Sequence, residues 1–269
     1  AFLALGLLIT YRILDFPDLT VDSSFPLGAA VSAILTVNGV PTDWNNPGAP
    51  VTISIPYAPT AEELNDPEAI VVWYIDGSGS AVSVPNGRFD PATGTVTFVT
   101  THFSDYAVAF RPVNFNDVAA GAWYDQAVRF IAARGITGGT GGGNFSPDRK
   151  LTRGQFLVML MRACDIAPDA NSTDNFTDAG STWYTGYLAA AKRLHITAGV
   201  GNNMFAPERE ITRQEMFTLL YNALGTIGRL PQGDSGKALA DFSDKADIAA
   251  WAQEAMAYLA GTGTVGGNA

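Results

Sequence analysis

Near the start of the chain, bulky apolar side chains take the odd positions, Leu3, Leu5, Leu7, Ile9, Tyr11 and Ile13, while Phe2, Ala4, Gly6, Leu8, Thr10 and Arg12 take the even ones. Period two with one bulky face predicts a buried β-strand over Leu3–Ile13. Tyr11, Arg12 and Asp15 arrive far short of the ~20 apolar residues a membrane helix needs, so no span is expected. A signal-peptide core is the rival reading, but no basic segment precedes the run and no clear small-residue cleavage site follows it. Without Met at position 1, the chain is expected to be a processed or excised piece.

From Ala29 to Phe110 the pattern is β throughout. Val31–Val37, Val51–Pro56, Ile70–Ile75, Ala81–Val84, Thr95–Val99 and Tyr106–Phe110 are short runs rich in β-branched and aromatic residues, separated by turn chemistry. Asp76-Gly77-Ser78-Gly79-Ser80 and Asp90-Pro91-Ala92-Thr93-Gly94 read as hairpin turns, which predicts a small antiparallel β domain. His102, Ser104 and Asp105 lie close in sequence, but neighbours on a strand point to opposite faces, so they are read as strand-end residues and not as a triad.

After Arg111-Pro112 the periodicity turns helical and is broken by Gly-rich loops. Phe115-Asn116-Asp117, Trp123-Tyr124, Gly135-Ile136, Gly139, Phe145-Ser146-Pro147 and Thr152-Arg153 recur as Phe176-Thr177-Asp178, Trp183-Tyr184, His195-Ile196, Gly199, Phe205-Ala206-Pro207 and Thr212-Arg213. From the Trp onward every pair is offset by 60 positions. One offset held over so many unlike residues marks an internal repeat. A third copy starts at Phe242-Ser243-Asp244 and continues through Trp251, Gly263 and Gly267, before any Phe-x-Pro or Thr-Arg.

Each copy reads as helix, loop, helix. Ala127, Val128, Ile131 and Ala132 form an apolar stripe after Trp123, and Gly135 is placed to stop that helix as a C′ glycine. Phe156, Met159, Leu160 and Ala163 are expected to line the second helix, and the repeats to pack on one another. His195 stands where the first copy has Gly135, at a helix C-terminus that favours a partly charged imidazole, and is read as structural. The expected architecture is α+β and multidomain: a β-rich domain over residues 1–110, then helical repeats over 111–175, 176–240 and, incomplete, 241–269.

Thr152 and Thr212, each followed three residues later by Gln155 or Glu215, form capping boxes that open helices. The Arg directly after each cap lies beside unpaired amides at the positive end of the helix dipole, which is mildly unfavourable for a cation. An anion bound by guanidinium and helix N-terminus together would explain both arginines. The plainer alternative pairs each Arg with a nearby acidic side chain on the surface.

With 269 residues and 47% hydrophobic content the chain can bury more than one core. Its net charge of −10 argues against nucleic acid and anionic membrane surfaces as partners, so an anionic ligand must be caught by local positive sites. The single cysteine, Cys164, permits no intrachain disulfide and is expected to be a small buried hydrophobe. Two histidines far apart build no metal cluster, and Asp241, Asp244 and Asp247 lack the Gly turn and distal Glu of an EF-hand loop. No carboxylate pair, nucleophile with base, or phosphate loop points to catalysis, so neither enzyme activity nor a cofactor is expected.

From Asn114 onward the pattern Phe-x-Asp, Trp-Tyr, Gly-Ile, Gly, Phe-x-Pro and Thr-Arg-x-(Glu/Gln) resembles the S-layer homology (SLH) repeat of bacterial surface proteins. The Gly48–Phe110 stretch resembles the β-rich segment that precedes SLH repeats in large surface proteins. The resemblance implies a pseudo-threefold arrangement of repeats whose grooves bind an anionic secondary cell-wall polymer, commonly carrying pyruvate ketals. It places the family's Thr-Arg-Ala-Glu motif on Thr152–Gln155 and Thr212–Glu215, with Arg153 and Arg213 holding a ligand carboxylate. It also implies ligand contacts at Asp117, Trp123, Asp178 and Trp183, and close backbone approach to the glycan at Gly139 and Gly199. Gln155 departs from the usual Glu, and the third copy lacks its Thr-Arg helix. The expected function is non-enzymatic, extracellular anchoring to the wall. The alternative is a self-assembling S-layer or filament subunit that donates Leu3–Ile13 to a neighbouring copy by strand addition.

Overall fold

The computed structural model describes residues 30–32, 35–37, 40–42, 45 and 50–266. The strand expected over Leu3–Ile13, and Gly267 of the third repeat, lie outside the described residues. The chain forms two compact units that meet in sequence at Pro147 and Asp148, within the stretch read as the first repeat. The physical reason is the first helix of that repeat, which packs on the β-sheet.

Among the described residues the first unit has nine strands: β1 (Ala30–Ser32), β2 (Leu35–Val37), β3 (Val40–Thr42), β4 (Val51–Pro56), β5 (Ile70–Ile75), β6 (Ala81–Val84), β7 (Arg88–Asp90), β8 (Thr95–Thr100) and β9 (Asp105–Phe110). They pair antiparallel in the orders β1-β9-β5-β6, β4-β8-β7 and β2-β3. The two expected hairpins join β5 to β6 and β7 to β8. In the first, Asp76 Oδ1 accepts from the amides of Ser78 and Ser80, 2.9 Å each, closing the turn. The run Val31–Val37 is divided between β1 and β2. The short strands β3 and β7, and a one-turn helix α1 (Ala61–Asn65) capped by Thr60 and Glu63, carry too little periodicity to be read from sequence.

Strand β5 shows why its sequence, IVVWYI, does not alternate: both of its faces are covered. Ile70 and Val72 join Ile55, Val96, Phe98, Tyr106 and Val108 between the sheets, while Val71, with Ala109 and Trp73, packs against Ala133 on the opposite face. Ala133 belongs to α2 (Asp125–Ala133). Arg134, 3% exposed, fixes this helix end to the sheet. Its guanidinium donates to the carbonyls of Gly87 (2.7 Å), Glu68 (2.7 Å) and Ile70 (3.3 Å) and lies 3.6 Å over the Phe130 ring. Burial lowers its pKa to about 10, so it stays charged at neutral pH.

The second unit carries α3 (Arg153–Ala163), α4 (Thr185–Arg193), α5 (Arg213–Thr226) and α6 (Gln253–Gly261). One core joins Leu157, Val158, Met161, Leu188, Ile196, Phe205, Leu219 and Ala223. The buried face of α3 therefore runs through Leu157, Val158, Leu160 and Met161, so Leu160 of the expected stripe is buried, whereas Phe156 and Met159 are half-buried and Ala163 is exposed. Every side chain from Phe156 to Met161 is apolar, so two overlapping stripes fit a 3.6 period, and packing turns the face inward by about one position. In α2 the inward residues are Val128, Ala132 and Ala133; Ile131 is half-buried and Ala127 exposed. Cys164 is buried as expected.

Replacing Arg134 with Met keeps an unbranched apolar stem but removes the donors to the carbonyls of Gly87, Glu68 and Ile70, and a buried acceptor left unpaired costs about 1–3 kcal/mol. Calorimetry of Arg134→Met should show the first unit melting several degrees lower; an unchanged melting temperature would show that the clamp contributes nothing.

Candidate functional site

The loops after α2 and α4 share one construction. Both helices end in a left-handed residue, Gly135 (φ 69°) and His195 (φ 56°), whose amides donate to the carbonyls of Ala132 and Lys192. The next amides, Ile136 and Ile196, reach back to Ile131 and Ala191 at 2.9 Å, completing a Schellman closure. This is the structural position read for His195. The chain then folds into a tight turn: Thr140 donates to the Asn144 carbonyl (2.8 Å), and Val200 to that of Met204 (2.7 Å).

Gly139 and Gly199 stand at the neck of these turns with φ near 75° and 80°. A Cβ on Gly139 would fall 2.3 Å from the Asn144 carbonyl oxygen and 2.6 Å from Phe115. One on Gly199 would fall 2.2 Å from the Met204 oxygen and 2.8 Å from Phe176. The close approach that demands glycine is made by the repeat's own chain.

Asp117 and Asp178 lock the exit of each loop. Asp117 accepts the amides of Phe145 and Ser146 at 2.7 Å each; Asp178 accepts those of Phe205 (2.8 Å) and Ala206 (2.7 Å). Ser146 (φ 62°) and Ala206 (φ 57°) are left-handed without being glycine, a strained conformation that the bidentate carboxylate holds. The Phe145 amide, with that of Ser146, keeps the Asp117 carboxyl below the usual carboxylate range.

Both capping boxes form as read. Thr152 Oγ1 accepts from the Gln155 amide at 3.2 Å and Thr212 Oγ1 from the Glu215 amide at 3.4 Å, each with the reciprocal bond in place. The two arginines that follow part company. Arg153 is 3% exposed: its Nε donates to the Phe205 carbonyl (2.8 Å), its plane lies 4.5 Å over the Phe205 ring, and it pairs with Glu215 at 2.8 Å. The α3 N-terminus is filled by protein as well, since the amides of Arg153 and Gly154 donate to the carbonyls of Arg209 and Pro207. The anion that explains Arg153 is thus Glu215, from the next repeat's capping box. Glu215 also takes Arg209 and the Thr212 amide. Burial alone would raise its pKa; the Thr212 amide, Arg209 and Arg153 together bring it below the ordinary value of 4.5. Arg213, by contrast, is exposed, 5.6 Å over the Phe217 ring and within 3.4 Å of the Gly266 carbonyl.

The tryptophans face solvent. Trp123 is 93% exposed, Trp183 58% and the third copy's Trp251 56%. The neighbouring tyrosine holds the first two edge-on, with centroids 5.4 and 5.2 Å apart. The structure therefore separates the sequence-predicted residues into loop-formers (Asp117, Asp178, Gly139, Gly199), an internal lock (Arg153) and outward-facing groups (Trp123, Trp183, Arg213). Sequence reasoning did not find Glu215 and Phe205 as partners of Arg153; the Glu at the third position of the Thr212 box was the available signal. Among the described residues no group of His, Cys, Asp or Glu is arranged to hold a metal ion, and no helix is long and apolar enough to cross a membrane.

The S-layer homology domain family matches residues 114–157 and 175–217. An amylopullulanase of Thermoanaerobacterium thermosulfurigenes is 30% identical over 221 residues, which is 81% of this chain and 12% of that protein. S-layer protein EA1 of Bacillus anthracis is 26% identical over 156 residues, 58% of this chain and 17% of its own length. The surface-layer 125 kDa protein of Lysinibacillus sphaericus is 26% identical over 182 residues, 67% of this chain and 14% of its own length. The chain thus spans less than a fifth of each of these relatives. Repeats and relatives together define a protein of the bacterial cell surface. More narrowly, it is an SLH-containing surface protein, with S-layer homology domains at the two matched stretches.

Two outcomes test this geometry. Gly199→Ala should destabilise the second unit by more than the roughly 1–2 kcal/mol of a left-handed non-glycine residue, because the clash with Met204 adds to it; a smaller loss in urea melts would show that the turn gives way. The depressed Glu215 pKa means that the unfolded chain binds the proton more tightly, so its contribution is complete above the ordinary value of 4.5 and fades as pH falls through the folded value. Stability measured from neutral pH downward should therefore lose less on the acid side in Glu215→Gln than in the parent; equal acid slopes would rule the lock out as the titrating element.

Proposed function

We propose that the repeats hold this protein non-covalently on an anionic cell-wall polysaccharide, and that the chain itself performs no chemistry. The observation that carries the reading is the exposure of Trp123, Trp183 and Trp251 at the same position of three successive repeats. A large indole left in water forgoes burial worth about 1.5–3 kcal/mol, and repetition at helix starts argues for a partner that covers it. The flat face of an indole suits the C–H face of a sugar ring. Arg213, exposed at a capped helix start, is the guanidinium offered to a ligand carboxylate, such as the pyruvate ketals that the family's polymer commonly carries. Asp117, Asp178, Gly139 and Gly199 serve the site by shaping its loops, and Arg153 serves it by fixing the Phe205 exit. The pseudo-threefold arrangement of repeats belongs to the same reading. A match that takes up 12% of an amylopullulanase suits an attachment part better than a catalytic one.

A second reading, self-assembly, draws on the S-layer proteins among the relatives and on the alternating Leu3–Ile13 segment, donated as a strand to a neighbouring copy. Removing Ala1–Asp15 should abolish assembly under this reading and leave wall binding intact under the first. Electron microscopy and sedimentation on walls separate the two.

The direct test is a pull-down of the full chain on purified cell walls before and after chemical removal of the polymer, with a Trp123→Ala, Trp183→Ala, Arg213→Ala variant alongside. Retention should fall at least about tenfold in both cases. Retention on stripped walls equal to that on intact walls would overturn the anchoring reading.

A further inference from the structure

Strand β4 pairs with β8 along all six of its residues, from Val51 with Thr100 to Pro56 with Thr95. Its backbone groups alternate in direction, as in any antiparallel pair. The Tyr57 amide donates to the Gly94 carbonyl at 2.9 Å, which continues the β4–β8 ladder. Val99, opposite Thr52, gives its amide and its carbonyl to the Asn86 side chain at 2.7 and 2.9 Å, not to β4. The bonds to β8 therefore belong to Val51, Ile53 and Ile55, and the amides and carbonyls of Thr52 and Ser54 point the other way. Pro56 falls in the same outward set, the place where an edge strand accommodates a residue without an N–H. Among the described residues no backbone group bonds to this outer edge.

The other edges of the two larger sheets are blunted. β1 and β7 have three residues each, with Arg88 and Asp90 in β7, and β6 has four and runs into Pro85. Shortness and charge are how sheets discourage pairing at an edge, whereas β4 is six residues long and uncharged. Its inner face is incompletely covered. Ile55 is fully buried between the sheets, but Ile53, beside it on the same face, is only half-buried; Thr52 and Ser54 are exposed on the opposite face. An added strand with one bulky face and one small or polar face would complete both sides.

The Leu3–Ile13 sequence has that pattern. Its eleven residues exceed the six of β4; Leu3, Leu5, Leu7 and Ile9 match the Ile53 and Ile55 side, and Ala4, Gly6 and Thr10 the Thr52 and Ser54 side. A slip of one residue would turn the bulky set outward, so the apolar row selects the pairing. The sixteen residues from Leu14 to Ala29 reach up to about 50 Å, against a radius of gyration of about 15 Å for a unit of this size, which is enough to carry the segment to a neighbour. Resting on the self-assembly reading above, we propose that the outer edge of β4 is the acceptor for Leu3–Ile13 of a second copy, which adds a strand to the β4-β8-β7 sheet. The backbone groups of Thr52 and Ser54 supply the bonds, and the Ile53–Ile55 side reads the bulky face. With one donor and one acceptor per chain the contact is head-to-tail, so copies add in rings or rows.

Sedimentation velocity of the full chain over a range of concentrations tests the assignment. Ser54→Pro removes an outward amide and leaves the bonds from Val51, Ile53 and Ile55 to β8 in place, as Pro56 already does. It should raise the concentration needed for association at least about tenfold while keeping the circular dichroism of the parent. Thr52→Pro does the same at the neighbouring outward amide, and it decides the matter if loss of the 2.9 Å hydroxyl contact between Ser54 and Thr97 unfolds the first variant. Leu5→Asp, Leu7→Asp removes the donor and should abolish association too. An equimolar mixture of Ser54→Pro with this donor variant should form a one-to-one dimer and nothing larger, because one brings only a strand and the other only an edge. Folded proline variants that associate like the parent, with the donor variant monomeric, would overturn the β4 assignment and leave self-assembly standing. Association that survives Leu5→Asp, Leu7→Asp, or a parent that is monomeric throughout, would overturn assembly by this segment and the assignment with it.

Discussion

Much of the second unit depends on one buried guanidinium. Arg153 leaves water to lie on the Phe205 ring, and that placement is tolerable only because the Phe205 carbonyl and the Glu215 carboxylate meet it there. Each of the three comes from a different segment: the start of α3, the Phe-x-Pro exit of the second repeat, and the first turn of α5. Fixing the guanidinium therefore fixes the three segments together. Loss of the Glu215 carboxylate would leave the Arg153 charge uncompensated in the core, which is costlier than the pair is stabilising. The neighbouring backbone follows, with Arg153 and Gly154 donating to carbonyls of the same exit and Ile211 to that of Leu151.

The loops solve a different problem. Each must leave a helix, turn tightly and enter the next helix within few residues, which requires left-handed backbone at several points. Glycine supplies some of it, the Schellman closure some, and a carboxylate two residues after Phe115 or Phe176 supplies the rest by holding Ser146 and Ala206 where they would not rest unaided. With these needs met internally, Trp123, Trp183 and Arg213 are exposed at the surface.

What could be read from the sequence follows from how local each cause is. Capping boxes, hairpin turns and C′ residues are set by neighbours within four positions, so Thr152, Thr212, Asp76 and Gly135 were legible. The repeats were legible because a spacing can be compared with itself. The buried stripe of α3 was not, because Phe156–Met161 is apolar on every side and only packing decides which side turns in. The fate of Arg153 was not legible either. Helix electrostatics called for an anion beside it, correctly, but the identity of that anion lay a whole repeat away, in Glu215. Exposure of Trp123 and Trp183 was legible only through the family resemblance, since an aromatic residue at the start of an amphipathic helix usually turns to the core.

The Arg134 clamp bears on where this molecule can be cut and transplanted. A fragment beginning at Asn114, at the edge of the recognised repeats, would carry α2 with Ala132 and Ala133 stripped of the sheet that covers them and with a guanidinium whose acceptors, Glu68, Ile70 and Gly87, had been left behind. The smallest portable piece is therefore longer than the repeat pattern, and it includes the β-strands. The stretch shared with the amylopullulanase agrees: 221 residues is more than the chain has from Asn114 onward, so the shared portion extends into the β region. A cut between the sheet and α2 would open the cluster in which Val71, Ala109 and Trp73 pack against Ala133.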